Sequence, residues 1–138
     1  MGLILDSSVL IATERSGQTV AQLLKRVFAL TGDQETALSA IVLVELAHGI
    51  HRANTLQIRA RREAFIEELL ADVPVYPFTQ QIALLAGRID GERQSQGVKI
   101  PFQDLLIGTT ALHLSYAVVT GNPRHFQTIP GLVVKSLS

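Results

Sequence analysis

The chain of 138 residues has no cysteine. That excludes disulfides, thiolate zinc sites and cysteine nucleophiles, and it fits a reducing compartment. Charge is scarce as well: 17% of residues are Asp, Glu, Lys or Arg, and the mean hydropathy is +0.29. So little polar material leaves a spare apolar patch, and hence a partner or a homodimer is expected. Neither sign of charge is in excess, with 12 basic and 12 acidic residues, so no global positive field recruits nucleic acid and any such contact must come from a local patch. No apolar run reaches the length of a signal-peptide core or membrane span, because the first one stops at Asp6. Asp6 also occupies the place where a Met1-Gly2 myristoylation start needs Ser or Thr. Walker and dinucleotide glycine motifs are missing, since Gly2, Gly17, Gly32 and Gly49 stand isolated. A single cytoplasmic domain over 1–138, with no membrane association, is the expectation.

What is present starts with Leu3-Ile4-Leu5-Asp6-Ser7-Ser8. This reads as a short buried strand that ends in a carboxylate, with Ser7 and Ser8 as N-cap residues of the helix beginning near Val9. Asp6 either caps that helix or belongs to a ligand crevice at the carboxyl end of a parallel strand. Apolar residues at helical spacing predict a helix from Thr19 to Leu30, a short strand follows over Glu35–Ser39, and Ser39 caps a helix from Ile41 to about His51. Glu45 shares its stripe with Ile41, Val42, His48 and Gly49. A carboxylate there is costly unless it is paired with one of the nearby arginines, protonated or bound to a cation.

Arg52, Arg59, Arg61 and Arg62 make the one markedly basic segment. Its guanidinium forks suit phosphate, and these four are the candidate RNA contacts. Thr55 caps a helix whose buried side is Ile58, Phe65, Ile66, Leu69 and Leu70. Val73 to Phe78 reads as an edge strand because of Pro74 and Pro77. Thr79 caps a helix that runs out near Gly97, with Arg88, Asp90, Glu92 and Arg93 toward solvent. The next helix opens at Pro101 and turns Asp104 toward its packed side with Ile107, Gly108 and Ala111. Ala117–Thr120 is a buried strand followed by Gly121-Asn122-Pro123, and Leu132–Val134 is the last strand. Strand and helix alternate throughout, which predicts an α/β fold with a mostly parallel sheet covered on both faces.

Asp6, Glu45 and Asp104, with Asn122, converge on one crevice in such a fold. Clustered carboxylates repel unless a divalent cation neutralises them, and oxygen ligands without Cys or His favour Mg²⁺, with Mn²⁺ as a substitute. Metal-activated water at such a site suits phosphodiester hydrolysis and needs no histidine base, so His48, His51 and His125 are read as packing or capping residues.

The segments Leu5-Asp6-Ser7-Ser8-Val9-Leu10-Ile11, Val44-Glu45-Leu46-Ala47-His48-Gly49, Gln103-Asp104-Leu105-Leu106-Ile107-Gly108-Thr109-Thr110-Ala111 and Val119-Thr120-Gly121-Asn122-Pro123-Arg124-His125-Phe126 stand in order along the chain, followed by Ile129-Pro130-Gly131-Leu132. Together they resemble the PIN-domain nucleases, and more narrowly the VapC-type toxins of toxin–antitoxin pairs. The resemblance spans essentially the whole chain. It implies a three-layer α/β/α sandwich of about five mostly parallel strands, Mg²⁺-dependent endoribonuclease activity, dimerisation, and inhibition by a VapB-like antitoxin. By position Asp6, Glu45 and Asp104 match the family's acidic site, while Asn122 stands where many members have a fourth Asp. Ser8 and Thr120 are implied to offer hydroxyls to water or phosphate.

Two other readings compete. A haloacid-dehalogenase-type phosphatase needs a second Asp where Ser8 stands, and a receiver domain needs an acidic pair that Met1 to Leu5 does not supply. A catalytically silent PIN-like module that binds RNA or protein is the alternative function, with Asn122 as its sign.

Overall fold

The computed structural model describes residues 1–137. In chain order the elements are β1 Gly2–Leu5, α1 Ser7–Arg15, α2 Val20–Thr31, β2 Glu35–Ser39, α3 Ala40–His51, α4 Leu56–Asp72, β3 Val75–Tyr76, α5 Gln80–Ser95, α6 Phe102–Leu114, β4 Ala117–Thr120, a 3-10 turn Pro123–His125, and β5 Val134–Ser136. All strand pairings are parallel, in the order β3-β2-β1-β4-β5. Every residue of β1 and β4 is buried, which requires helices on both faces, so the architecture is the α/β/α sandwich expected of a parallel sheet. Among the described residues no helix is long and apolar enough to cross a membrane.

Local chemistry sets most boundaries. Thr19 caps α2 in a reciprocal capping box with Gln22, and Gly32 ends it at φ 80°. Ser39, Thr55 and Thr79 cap α3, α4 and α5 through their side-chain oxygens, all three as the sequence indicates. β3 is an edge strand of two residues between Pro74 and Pro77, each of which removes a ladder donor.

Four expectations need correction. α1 begins at Ser7, so Ser7 and Ser8 lie inside the helix and the N-cap position falls to Asp6. β5 lies two residues later than Leu132–Val134, because the left-handed turn at Gly131 comes first and Val133 enters the sheet only through its carbonyl, which accepts from Val118 N–H at 2.9 Å. On α4, Leu70 is exposed and the buried contacts are Phe65 and Leu69. Arg93 is half-buried, with its Nη1 donating to Gln96 Oε1 at 2.6 Å, so it does not simply face solvent.

Glu35, at the amino end of β2, gathers a phenol pair. Tyr116 and Tyr76 both donate to Glu35 Oε1, at 2.5 and 2.6 Å, and their rings meet edge to face at 5.9 Å. These donors hold the Glu35 carboxyl below the usual carboxylate range. Tyr116 reaches Glu35 by crossing Gly2, where a Cβ would fall 2.5 Å from the ring. Position 2 therefore has to be glycine for this tie to form.

The carboxyl ends carry the polar groups. β1 is flanked by β2 on one side and β4 on the other, so chain direction across the sheet reverses between β1 and β4. That reversal opens a crevice beyond their carboxyl ends. Phe126, fully buried, anchors the 121–132 segment, and Gly108 of α6 lets this segment approach, since a Cβ there would meet Phe126 and Leu132 at 3.2 Å. Phe126→Ala is expected to lower unfolding free energy by about 3–5 kcal/mol, measured by urea denaturation; a loss within the noise would mean the segment is held by other contacts.

Candidate active site

Asp6 sits at the floor of the crevice, 2% exposed. Its backbone is extended as an N-cap requires, yet its side chain makes no capping hydrogen bond to α1. The carboxylate instead accepts from two hydroxyls on its Oδ2: Ser8 Oγ at 2.7 Å and Thr120 Oγ1 at 2.9 Å. Each hydroxyl in turn accepts a backbone N–H, Gly121 to Ser8 at 3.0 Å and Asn122 to Thr120 at 2.9 Å. A hydroxyl has one proton, and both protons are committed to Asp6. The 3.3 Å approach of Ser8 Oγ to Thr120 Oγ1 is thus a contact without a shared proton. The turn after β4 orients two hydroxyls, which fix one oxygen of Asp6. Among the described residues, its Oδ1 has only a long 3.5 Å contact from Ser7.

Asp104 lies in the first turn of α6. Burial raises its carboxyl above the usual aspartate range, and the charge of Asp6 raises it further; His125 opposes this, while Glu45 adds to it more weakly. Asp6 and Glu45 therefore both lie within electrostatic reach of Asp104. His125, set aside by sequence reasoning, is part of the site, with its Nδ1 2.9 Å from Asp104 Oδ2. The signal that could have found it is its place one turn beyond β4. Asn122 caps nothing with its side chain and is exposed at the mouth of the crevice.

The donor set is all oxygen and its charge is poorly compensated, which is the chemistry a hard divalent cation requires. Among the described residues no three acidic or histidine side chains stand together as a ready metal cage. The three carboxylates meet as neighbouring charges, not as a packed triad.

The family model for the PIN domain matches residues 3–132. The chain belongs to the PIN-domain family. Among its curated relatives, Ribonuclease VapC1 of Rickettsia felis is 33% identical over all of this chain and 98% of its own length, and Ribonuclease VapC of Rickettsia bellii is 31% identical over 97% and 95%. Among solved structures, the DNA-bound VapBC of Salmonella typhimurium superposes with a TM-score of 0.82 at 26% identity, covering 99% of this chain and 98% of that one. VapBC2 of Rickettsia felis, at 21% identity and a TM-score of 0.86 over the full length of both chains, shares the fold.

Two arginines of the basic segment of this PIN domain also have a structural role. Glu14 on α1, which sequence reasoning missed, is 7% exposed and is held by Arg61 Nε at 2.8 Å and Arg62 Nε at 3.1 Å. Arg62 also donates from Nη1 to the Gly49 carbonyl at 2.6 Å, satisfying one of the free carbonyls at the carboxyl end of α3. Arg61 and Arg62 thus brace three helices. The arginine partner considered for Glu45 belongs to Glu14, in the last turn of α1. The brace also holds α3 one turn beyond Glu45, on the same face.

A cavity of about 630 Å³ opens beside Glu45, between α1, α3 and α4. Arg52 lines it and Arg59 does not.

For a carboxyl whose folded value is raised, the associated stability is present below the ordinary aspartate value of 3.8 and lost as pH rises through the folded value. Asp104→Asn is expected to raise the melting temperature of chelator-treated protein at neutral pH, with the gain vanishing on acidification. No gain at neutral pH would mean that the charge is already compensated. Thr120→Val removes one of the two hydroxyls on Asp6, and about a 10–100-fold loss of divalent-cation affinity is expected by titration.

Proposed function

We infer that this chain is a metal-dependent endoribonuclease acting as the toxin of a VapBC-type pair. The observation that carries this reading is Asp104, a carboxyl kept above its usual range by burial and by the neighbouring Asp6 and Glu45 at the carboxyl edge of a parallel sheet. A fold does not need such a cluster for stability, and perturbed carboxyls of this kind mark functional sites. The names of the curated relatives, ribonucleases of the VapC type, and of a Salmonella typhimurium relative called a tRNA(fMet)-specific endonuclease support the same chemistry.

Asp6, Glu45 and Asp104 would hold Mg²⁺, or Mn²⁺ in its place. When bound, the ion supplies a water activated for attack and offsets charge on the phosphate. The chain's own residues do the rest. Ser8 and Thr120 lock Asp6 Oδ2 and leave Oδ1 toward the crevice. His125 orients Asp104 through its Nδ1 contact with Oδ2. Asn122 offers a neutral carbonyl oxygen or amide at the crevice mouth, one negative charge fewer than an aspartate would place there.

The VapBC neighbours support a VapB-like antitoxin as partner. Val44, Leu56, Leu84 and Phe102 are all about 70% exposed or more, and this apolar surface supports a homodimer. Asn122 and the lack of a ready metal cage among the described residues favour the second reading, a silent module that binds RNA or protein without cutting.

Purified chain freed of antitoxin is expected to cut single-stranded RNA into discrete fragments with Mg²⁺ or Mn²⁺ and not with EDTA, and Asp6→Asn is expected to lower the rate at least ~100-fold. Retained RNA binding with no cleavage under any metal would leave the silent module as the correct reading.

A further inference from the structure

The 630 Å³ cavity beside Glu45 has an apolar floor that includes Ile11, Leu46 and Phe65 and a rim that includes Arg15, Arg52 and Arg62. The rim guanidinium groups are not equivalent. Arg62 is committed to Glu14 and to the Gly49 carbonyl. Among the described residues, Arg15 and Arg52 have no acidic or carbonyl partner for their side chains, and both are exposed. They come from different elements, the last turn of α1 and the cap after α3, so they face the same space from two walls. Gln103, immediately before Asp104, also lines the cavity and has a buried Nε2 with no hydrogen-bond partner. A buried donor left without a partner is destabilising, and turning the Gln103 amide toward an incoming acceptor would relieve it.

We propose that this cavity is a nucleotide subsite: it takes one unstacked nucleotide of single-stranded RNA next to the phosphodiester at Asp6 and Asp104. Arg15 and Arg52 clamp the flanking phosphate, and Gln103 Nε2 donates to the base. The proposal rests on the nuclease reading and names how its substrate is held. Three observations select this occupant. Two free cations from different elements on one cavity match a phosphate with the forked geometry that guanidinium favours. An apolar floor below a single amide donor matches a base, because single-stranded RNA is recognised by splayed bases that pack on side chains and hydrogen-bond at their edges. The volume is within the range of small-ligand pockets and above what a single base needs. Glu45 and Gln103 connect the cavity to the carboxylates, so a strand lying in it passes the site. This also reassigns the basic contacts: Arg15, which stands outside the basic segment, replaces Arg61 and Arg62.

The test is fluorescence anisotropy of a labelled 12-nucleotide single-stranded RNA in EDTA, where nothing is cleaved, over a salt series. Arg15→Ala and Arg52→Ala are each expected to weaken binding about tenfold and to reduce the slope of log K against log salt by about 0.7, whereas Arg61→Ala leaves the slope unchanged. Gly49→Leu offers a variant that keeps every charge. Gly49 lines the cavity and has open space where a Cβ would stand, so the new side chain fills the subsite; weaker binding with an unchanged slope is expected. Wild-type slopes in both arginine variants, or wild-type affinity in Gly49→Leu, would overturn the subsite. Unaltered RNA binding with lost binding of a co-expressed antitoxin would overturn it too and give the cavity to a polypeptide. Because these measurements need no metal and no turnover, a chain that binds as expected but never cuts overturns the nuclease reading and leaves the subsite standing.

Discussion

The site depends on one oxygen of one carboxylate. Asp6 Oδ2 accepts two hydroxyl protons whose direction is forced, because the oxygens of Ser8 and Thr120 already accept the N–H groups of Gly121 and Asn122. That arrangement exists only if β1 and β4 lie side by side in register, Leu5 opposite Val119. The sheet therefore does more than support the crevice. Its central pairing is what brings Ser8 and Thr120, 112 residues apart, onto the same carboxylate, and it is also the point where strand order reverses and leaves room for a ligand.

Charge compensation separates this site from the rest of the interior. Glu14 and Asp6 are both buried, but Glu14 receives two guanidinium groups and Asp6 receives neutral donors. Asp104 has a single imidazole, half of which is exposed. A buried carboxylate with full ionic partners is a structural strut, since removing a partner rather than keeping the pair is what costs stability. One held by neutral hydroxyls keeps its negative charge for something else. The contrast spans a single helix, with Asp6 at the N-cap of α1 and Glu14 in its last turn. The strut has a second consequence. By engaging both Glu14 and the carboxyl end of α3, Arg62 fixes the helix that carries Glu45 against the helix that leaves Asp6.

Membership of the PIN-domain family agrees with this physical reading at the level of fold. Three features around the crevice are local. Asn122 stands exposed and uncharged after β4, His125 sits beside Asp104, and the cavity by Glu45 has a rim of mixed use, part brace and part open cation.

The sequence by itself determined the elements and the residues worth questioning. Caps at Ser39, Thr55 and Thr79, the capping box at Thr19 and the proline-flanked edge strand are local interactions, encoded within a few residues of where they act, and so they are legible in one dimension. Asp6, Glu45 and Asp104 were legible for a related reason: each breaks an apolar pattern, and an inward charge is conspicuous whatever the fold. Tertiary structure alone decided the partners. Nothing near Glu14 in sequence marks it for Arg61 and Arg62, 47 and 48 residues on, and nothing local to His125 directs it at Asp104. Arg61 and Arg62 looked like free phosphate contacts, and nothing in the sequence singled out Arg15. Which cation is spent and which is open depends on the distances between helices, and those distances are set by packing across the whole sheet.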